Sequence, residues 1–369
     1  MEHASDSMAP VTIRRVASAA GVSVKTVSRV INDEPMVHRD TREKVQRIIS
    51  DLGFRPNPLA RNLVARRTRT FGLVVQDVAN PFFAPLVYGC LKVTEQKGYH
   101  LVVDTGGTPE AERRHLRALL DQRVSGIILW ASLLNVDAMN EIIEEAHPCC
   151  PIVFIDCDFE ESLQQKLAYR SIRVDNFHVG VLATEHLLHE GRRRIAHLTA
   201  SGPAALRREG YLKTLATAHC PPETHWVRDT SQITIQAGAL AALDLFEHRP
   251  YPDAIFACTD ITAVGALLAC RKKQLRVPED IAIVGVDDTQ LAAVTDPPLT
   301  TIRLHQHQTG EQAVAMLLEM IDDSTVGTAP ADASPQSVVV PAPQLVVRRS
   351  STLEVASDIW LDNLPLSHG

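Results

Sequence analysis

The sequence predicts a small all-α head followed by a larger α/β body built on parallel sheets. Apolar residues recur at helical spacing as far as Leu52, whereas from Phe71 onward short β-branched runs alternate with helical stretches. Charge divides near the same place. Residues 1–70 hold 13 Lys and Arg against 7 Asp and Glu, and the remainder holds 24 against 37, so a net charge of −7 conceals a basic head on an acidic body. At 369 residues the chain is about two to three times an ordinary single domain.

In the head, Ile13, Val16, Ala17 and Ala20 follow the i, i+3, i+4, i+7 spacing of one helical face. Thr12 is placed to cap that helix, and Gly21 falls where a left-handed residue would end it. Ser23 then caps a second helix, in which Val27, Val30 and Ile31 share one face while Val24, Lys25, Ser28, Arg29 and Asn32 occupy the other. Two short helices joined by a Gly-containing turn form a helix-turn-helix, whose second helix enters the DNA major groove. A third helix follows with Val45, Ile48, Ile49 and Leu52 in phase and Gly53 just past its end. A generic three-helix bundle with a solvated face is the competing reading. The tight turn from Ala19 to Ser23, with Lys25 and Arg29 exposed beyond it, favours DNA binding.

Pro56 and Pro58 break what precedes them, and Leu59, Ala60, Leu63 and Val64 line one short helical face accompanied by Arg55, Arg61, Arg66 and Arg67. A helix this short is unstable alone in water, so it is expected to form only against a partner. A disordered basic linker is the alternative.

The body's strand-like runs are Phe71–Val75, Leu101–Asp104, Gly126–Leu129 and Ile152–Asp156, then Ile172–Val174, Arg194–Leu198, Trp226–Val227, Ala254–Ala257 and Ile281–Val286. Most successive runs begin one strand plus one crossover helix apart, and their near-continuous apolar character fits strands buried on both faces. The length suits two similar subdomains. Ligands of such sheets bind beyond the carboxyl ends of strands, and several runs end there in polar residues: Gln76-Asp77, Asp104-Thr105, Asp156, Thr259-Asp260 and Asp287-Asp288. Singly, each reads as a helix cap. Together they read as the rim of a cleft.

Several function classes are excluded or disfavoured. The chain has no GxGxxG, Walker, GxSxG or HExxH signature, so it is not expected to be an enzyme. His186 and His189 lie three apart and read as helix-surface residues, the His305–His307 pair is weak metal evidence, and Asp156, Asp158 and Asp175 lack a compact ligand loop. No cofactor and no metal site is therefore expected. The seven cysteines form no CxxC pair and read as small apolar residues of a reduced protein. The longest apolar stretches fall short of the ~18 residues of a membrane span, and the polar N-terminus lacks the order of a signal peptide. A cytoplasmic protein without a membrane partner is expected.

The chain resembles the lac-repressor/galactose-repressor family of bacterial transcription regulators from residue 11 to about 349. The head carries the resemblance in Val11–Asn32, Thr41–Val45 and Leu52–Asn57. The body carries it in Phe71-Gly-Leu-Val-Val, Asn80-Pro-Phe-Phe83, Val174-Asp-Asn176, Arg276–Asp280, Val284-Gly-Val-Asp-Asp288 and Pro298–Ile302. It implies a helix-turn-helix DNA-binding domain over 11–56, a hinge helix and linker over 57–68, and a ligand-binding and dimerisation domain over 69–349. That last domain is expected to be periplasmic-binding-protein-like, with two subdomains, and residues 350–369 are left as a tail outside the family pattern that gives no support for a coiled-coil tetramer.

The same resemblance implies a homodimer on a double-stranded, pseudo-palindromic operator, acting as a repressor under a small-molecule effector. Val24, Lys25 and Arg29 become the base readers, and Thr12, Ser23 and Ser28 phosphate contacts. Thr26, Asn32, Asn57 and Ala60 complete the DNA-facing set, with Leu63 as a wedge in the minor groove. For the effector it implies Phe83, Trp130, Asp156, Arg207, Thr259 and Asp287, an arginine facing two acids beside flat apolar walls. Arg207 alone would read as a solvated arginine near a helix start. Thr259 stands where sugar-responsive members carry asparagine, Leu304 stands in place of a glutamine, Trp130 occupies a position often polar, and near Asp229 only Thr230 and Ile233 replace an aromatic. Two other regulatory or binding classes remain as alternatives: control by a protein co-effector, and a sugar-binding or sugar-modifying protein using the same cleft.

Overall fold

The structure, a computed structural model, describes residues 11–31, 34–54, 68–146, 150–157, 169–202, 204–230, 232–326, 337–339 and 341–353. The chain divides into two compact units between Thr68 and Arg69.

The first unit holds α1 (Ile13–Ala20), α2 (Val24–Ile31) and α3 (Arg39–Asp51). Its core is Val16, Ala17, Ala20, Val27, Val30, Val45 and Phe54, with Ile48, Ile49 and Leu52 packed at the edge. Local chemistry fixes the turn between α1 and α2. The Thr12 hydroxyl accepts the Arg15 N–H, Gly21 adopts φ 64°, and the N–H groups of Gly21 and Val22 return to Ser18 and Ala17.

The second unit contains two parallel-dominated sheets. The first is built from β1 (Thr70–Val75), β2 (His100–Thr105), β3 (Gly126–Trp130), β4 (Ile152–Ile155) and β5 (Tyr169–Arg173). Between them run α4 (Phe83–Gln96), α5 (Pro109–Asp121) and α6 (Val136–Ala146). After β5 come α7 (Asn176–His189), β6 (Ile195–Thr199), α8 (Ala204–Thr217), β7 (Val227–Asp229), α9 (Ile235–Leu245), β8 (Ala254–Ala257), α10 (Asp260–Lys272), β9 (Ala282–Asp287), α11 (Gln290–Val294) and β10 (Thr300–Arg303). The chain closes with α12 (Gln306–Val326), β11 (Ser337–Val339) and β12 (Gln344–Val346).

Strand order is β11-β5-β4-β3-β1-β2 in the first sheet and β12-β10-β9-β8-β6-β7 in the second. Every pairing is parallel except β12 against β10. The two subdomains exchange elements: α7, which follows β5, packs on α8 and against β8, β9 and β10, whereas α12, which follows β10, packs on α4 and against β3, β4 and β5. Reciprocal glycines let these helices touch. A Cβ at Gly89 would meet the His307 carbonyl and one at Gly310 the Leu86 carbonyl, and Gly180 and Gly210 are likewise pressed against the carbonyls of Arg207 and Phe177.

Several expectations need correction. β10, β11 and β12 were absent from the predicted strands, because the last two are three-residue edges too short to show a pattern. Asp156 is not the end of a strand but the residue after it, at φ 56°. His186 is not on the surface. It is buried, with Nε2 2.7 Å from the Ser351 hydroxyl. The expected tail boundary at residue 350 falls too early, since Ser350, Ser351 and Thr352 are buried and the Ser350 hydroxyl donates to the Ile283 carbonyl at 2.6 Å. A polar serine pair gives no apolar signal, and here hydrogen bonding, not hydrophobicity, carries it inside.

Candidate DNA-reading helix and effector site

In the head, α2 turns Val27 and Val30 into the core and presents Val24 and Lys25 outward, with Ser28 and Arg29 half-buried at the flanks. Thr12 and Ser23 are exposed at the N-termini of α1 and α2. The Ser23 hydroxyl accepts the Thr26 N–H at 3.1 Å and lies 2.9 Å from the Thr26 hydroxyl, so both side chains of the cap are committed to each other. Arg29 Nε lies 3.5 Å from Glu34 Oε2. Asn32, Asn57, Ala60 and Leu63, together with the hinge segment, lie outside the described residues.

In the body, a chain of hydrogen bonds joins the strand ends of the two sheets. The Asn176 side-chain amide donates to both oxygens of Asp156 at 2.9 Å, and its carbonyl accepts Arg207 Nε at 2.9 Å. Arg207 Nη1 donates to the Cys258 carbonyl. Asp156 follows β4 of the first sheet, whereas Asn176 opens α7 and Cys258 follows β8, both on the second. Asp175 caps α7 by accepting the His178 N–H at 2.9 Å, which fixes Asn176 as the first helical residue with its amide over the end of β4.

Asp287, at the end of β9, is buried and adopts φ 118°. Burial holds its carboxyl well above the usual range and the nearby Asp260 charge pushes it further, while Arg207 and the Asp260 backbone N–H pull the other way. The Asp260 carboxyl, pushed up to about 7 by burial, accepts the Thr301 hydroxyl at 2.6 Å and the Thr289 N–H at 2.8 Å. Thr259 is buried as the cap of α10, in a reciprocal capping box with Thr262. Asp288 is clamped by Arg303 at 2.7 Å and Arg348 at 2.6 Å.

The aromatic residues gather at the first sheet. Trp130 packs edge-on against Phe82 and Phe83, with ring centroids 5.0 and 6.0 Å away. Ala131, at φ 42°, receives Gln76 Nε2 on its carbonyl at 3.1 Å and donates its N–H to the Ile155 carbonyl at 2.8 Å, which ties the aromatic group to the β4 end beside Asp156. Four of the eight described non-glycine residues at positive φ, Ala131, Asp156, Asp287 and Asp288, lie at these strand ends, where strained backbone commonly accompanies function.

The six expected effector residues thus fall into a polar set and an aromatic one. Asp156 and Arg207 share one hydrogen-bonded chain and Asp287 lies within reach of the Arg207 charge, Thr259 follows Cys258 but bonds within its own helix cap, and Phe83 and Trp130 belong to the aromatic group. The reading of Arg207 as a solvated arginine is overturned, since it is 6% exposed. Sequence reasoning missed Asn176, the link between Asp156 and Arg207, although its place after a capping aspartate was a usable signal. It named Gln76 and Asp260 only as strand-end polar residues among several. Among the described residues, no group of three or more His, Cys, Asp or Glu is arranged to hold a metal.

Residues 12–57 match the family described as "Bacterial regulatory proteins, lacI family", and residues 184–351 match a periplasmic binding protein-like domain. The chain is 34% identical over 314 residues to the ribose operon repressor of Haemophilus influenzae, covering 84% of this chain and 92% of that protein. This chain belongs to the lacI family. It is also 33% identical over 317 residues to the transcriptional repressor PurR of Vibrio atlanticus, covering 85% and 92% of the two chains. Among solved structures, the lac repressor dimer bound to operator and an anti-inducer superposes with a TM-score of 0.78 at 28% identity, over 93% of this chain and 99% of that one. A complex of the regulator CelR with cellobiose superposes with a TM-score of 0.66 at 30% identity, over 92% and 99%. Like its family, this chain is a DNA-binding transcription regulator with a small-molecule effector.

Proposed function

We propose that the protein is a cytoplasmic, homodimeric repressor that acts by binding, without catalysis. Two heads read a pseudo-palindromic operator through Val24, Lys25 and Arg29, with Thr12, Ser23, Thr26 and Ser28 on the flanking backbone. Asn32, Asn57, Ala60 and the wedge Leu63 complete the contact in the bound state. The effector is a small hydroxylated or anionic metabolite held by Asp156, Arg207 and Asp287, with Thr259 beside them and Phe83 and Trp130 as flat walls. No helix among the described residues is long and apolar enough to cross a membrane, which is compatible with a cytoplasmic site of action.

The observation that carries this reading is the Asp156–Asn176–Arg207–Cys258 chain, because it runs from a strand end of one sheet to a strand end of the other. A ligand that exchanges its own hydroxyls or carboxylate for these bonds changes how the subdomains are held, and only such differential contact can shift an equilibrium between two body conformations. Support for a sugar-like effector comes from relatives named for ribose and cellobiose. Thr259 and Leu304, in positions that hold amides in sugar-responsive members, favour a different pattern of polar contacts from theirs.

The experiment is a thermal-shift screen of sugars, sugar acids, nucleosides and polyols on the full-length protein, followed by operator binding with each hit. A ligand that binds the folded state raises stability in proportion to ln(1+[L]/Kd). The expected result is at least one compound that both raises Tm and changes operator affinity. Stabilising compounds that leave operator affinity untouched would remove the effector role.

A further inference from the structure

Arg29, an expected base reader, has a carboxylate beside its guanidinium, and the way that carboxylate is placed is informative. Its Nε lies 3.5 Å from Glu34 Oε2, an ion-pair distance. Glu34 is not a freely swinging partner. Its backbone N–H donates to the Arg29 carbonyl at 3.0 Å, closing the C-terminal end of α2, and its own carbonyl accepts Arg42 Nη2 from α3. The carboxylate is therefore delivered beside Arg29 by a backbone position fixed at both of its polar groups. Both side chains keep substantial exposure, 36% for Arg29 and 47% for Glu34, so the pair sits at the surface where DNA would approach.

Guanine is read by two parallel N–H donors reaching O6 and N7. A guanidinium paired with a carboxylate on its Nε side can turn its terminal nitrogens to a base, and the pairing restricts rotamer freedom that would otherwise be lost on binding. A carboxylate in this position also repels phosphate and competes with it for Arg29. The two effects have opposite signs on the two kinds of DNA: one strengthens base reading, the other weakens backbone contact.

We infer that Glu34 is a specificity-determining residue that buttresses Arg29 for guanine and disfavours its use on phosphate. The inference rests on the proposed role of Arg29 as a base reader. An exposed pair of this kind is worth little to stability, so its value lies in orientation.

The test uses the full-length protein, a duplex selected by that protein from a randomised pool, the same duplex with each G·C pair replaced in turn by A·T, and a random-sequence duplex. Glu34→Ala should weaken binding to the selected duplex about three- to tenfold and leave random-duplex binding equal or up to about fivefold tighter, consistent with the modest size of single-side-chain ordering and surface-charge effects. The loss should disappear on the one duplex lacking the guanine that Arg29 reads, and Glu34→Ala should add nothing to Arg29→Ala. Arg29→Ala without effect on the selected duplex would overturn the base-reading role itself. If Arg29→Ala weakens binding but Glu34→Ala tightens both duplexes equally, Glu34 is only a repelling charge and the buttress is wrong. Unchanged discrimination at every guanine in Glu34→Ala would overturn it too.

Discussion

The two sheets of the body share one strand order, yet their strand ends are held by different forces. At the first sheet, Trp130, Phe82 and Phe83 pack edge to face and are buried, and Gln76 fixes the Ala131 carbonyl behind them. At the second, Asp260, Thr289 and Thr301 form a buried hydrogen-bonded group beside Asp287 and Arg207, and Asp288 is clamped by Arg303 and Arg348. The shared strand order therefore supplies equivalent positions, and the sequence decides what occupies them. An apolar wall is insensitive to pH and keeps its shape by excluding void. A wall of buried carboxylates depends on protonation and on every partner being present, which makes it the half that a polar ligand can reset.

The largest expected effect breaks the apolar side. Trp130→Ala leaves a cavity among Phe82, Phe83 and the β3 end, and should cost about 3–5 kcal/mol in urea unfolding, by the same amount at pH 5 and pH 8. A cost that varies strongly with pH would mean the two walls are not separable as described.

A smaller effect tests the helix seam that carries Arg207. Gly180 of α7 lies against the Arg207 carbonyl of α8, so Gly180→Ala forces those helices apart at the residue that bears the guanidinium. The expected cost is about 1–3 kcal/mol, the usual range for overpacking. It should come with weakened ligand response, whereas Gly89→Ala, at the α4–α12 seam, should destabilise comparably and leave the response intact.

The pH dependence sharpens the comparison on the polar side. The Asp260 carboxyl, with a pKa of about 7 in the fold, lies above its unfolded value, so its contribution is present below about pH 4 and is lost as pH rises through 7. Asp260→Asn removes this titration, and the stability deficit of the variant relative to the parent should be smaller at pH 8 than at pH 5. His197 has the opposite sign. Stacked on Phe256 at 4.6 Å and fully buried, it is pushed down to about 3, so its contribution is present above pH 6.5 and is lost as pH falls toward 3. His197→Phe keeps the stack and should shift the acid-unfolding midpoint downward, the smallest of these changes.

The head was legible because each of its signals is local. Gly21 takes the left-handed turn, Thr12 and Ser23 cap, and Val16, Val27 and Val45 meet in one core. The parallel strands were legible for a similar reason, since continuous apolar runs such as Ile283-Val284 have few other uses. What stayed hidden was long-range. Nothing local marks Ser351 as the partner of His186 or α12 as a helix that returns to the first sheet. The family pattern pointed to Arg207, where local reasoning alone favoured solvent.

The measurement that bears most directly on effector control by the polar network is operator affinity of the full-length Arg207→Lys variant with and without a ligand identified by thermal shift. Lysine keeps the positive charge opposite Asp287 but lacks the planar fork that reaches Asn176 and the Cys258 carbonyl together. Ligand-free operator affinity should stay within about threefold of the parent, and the ligand-induced change in affinity should vanish. A variant that responds fully at the parent's ligand concentration would contradict the assignment of effector control to this network.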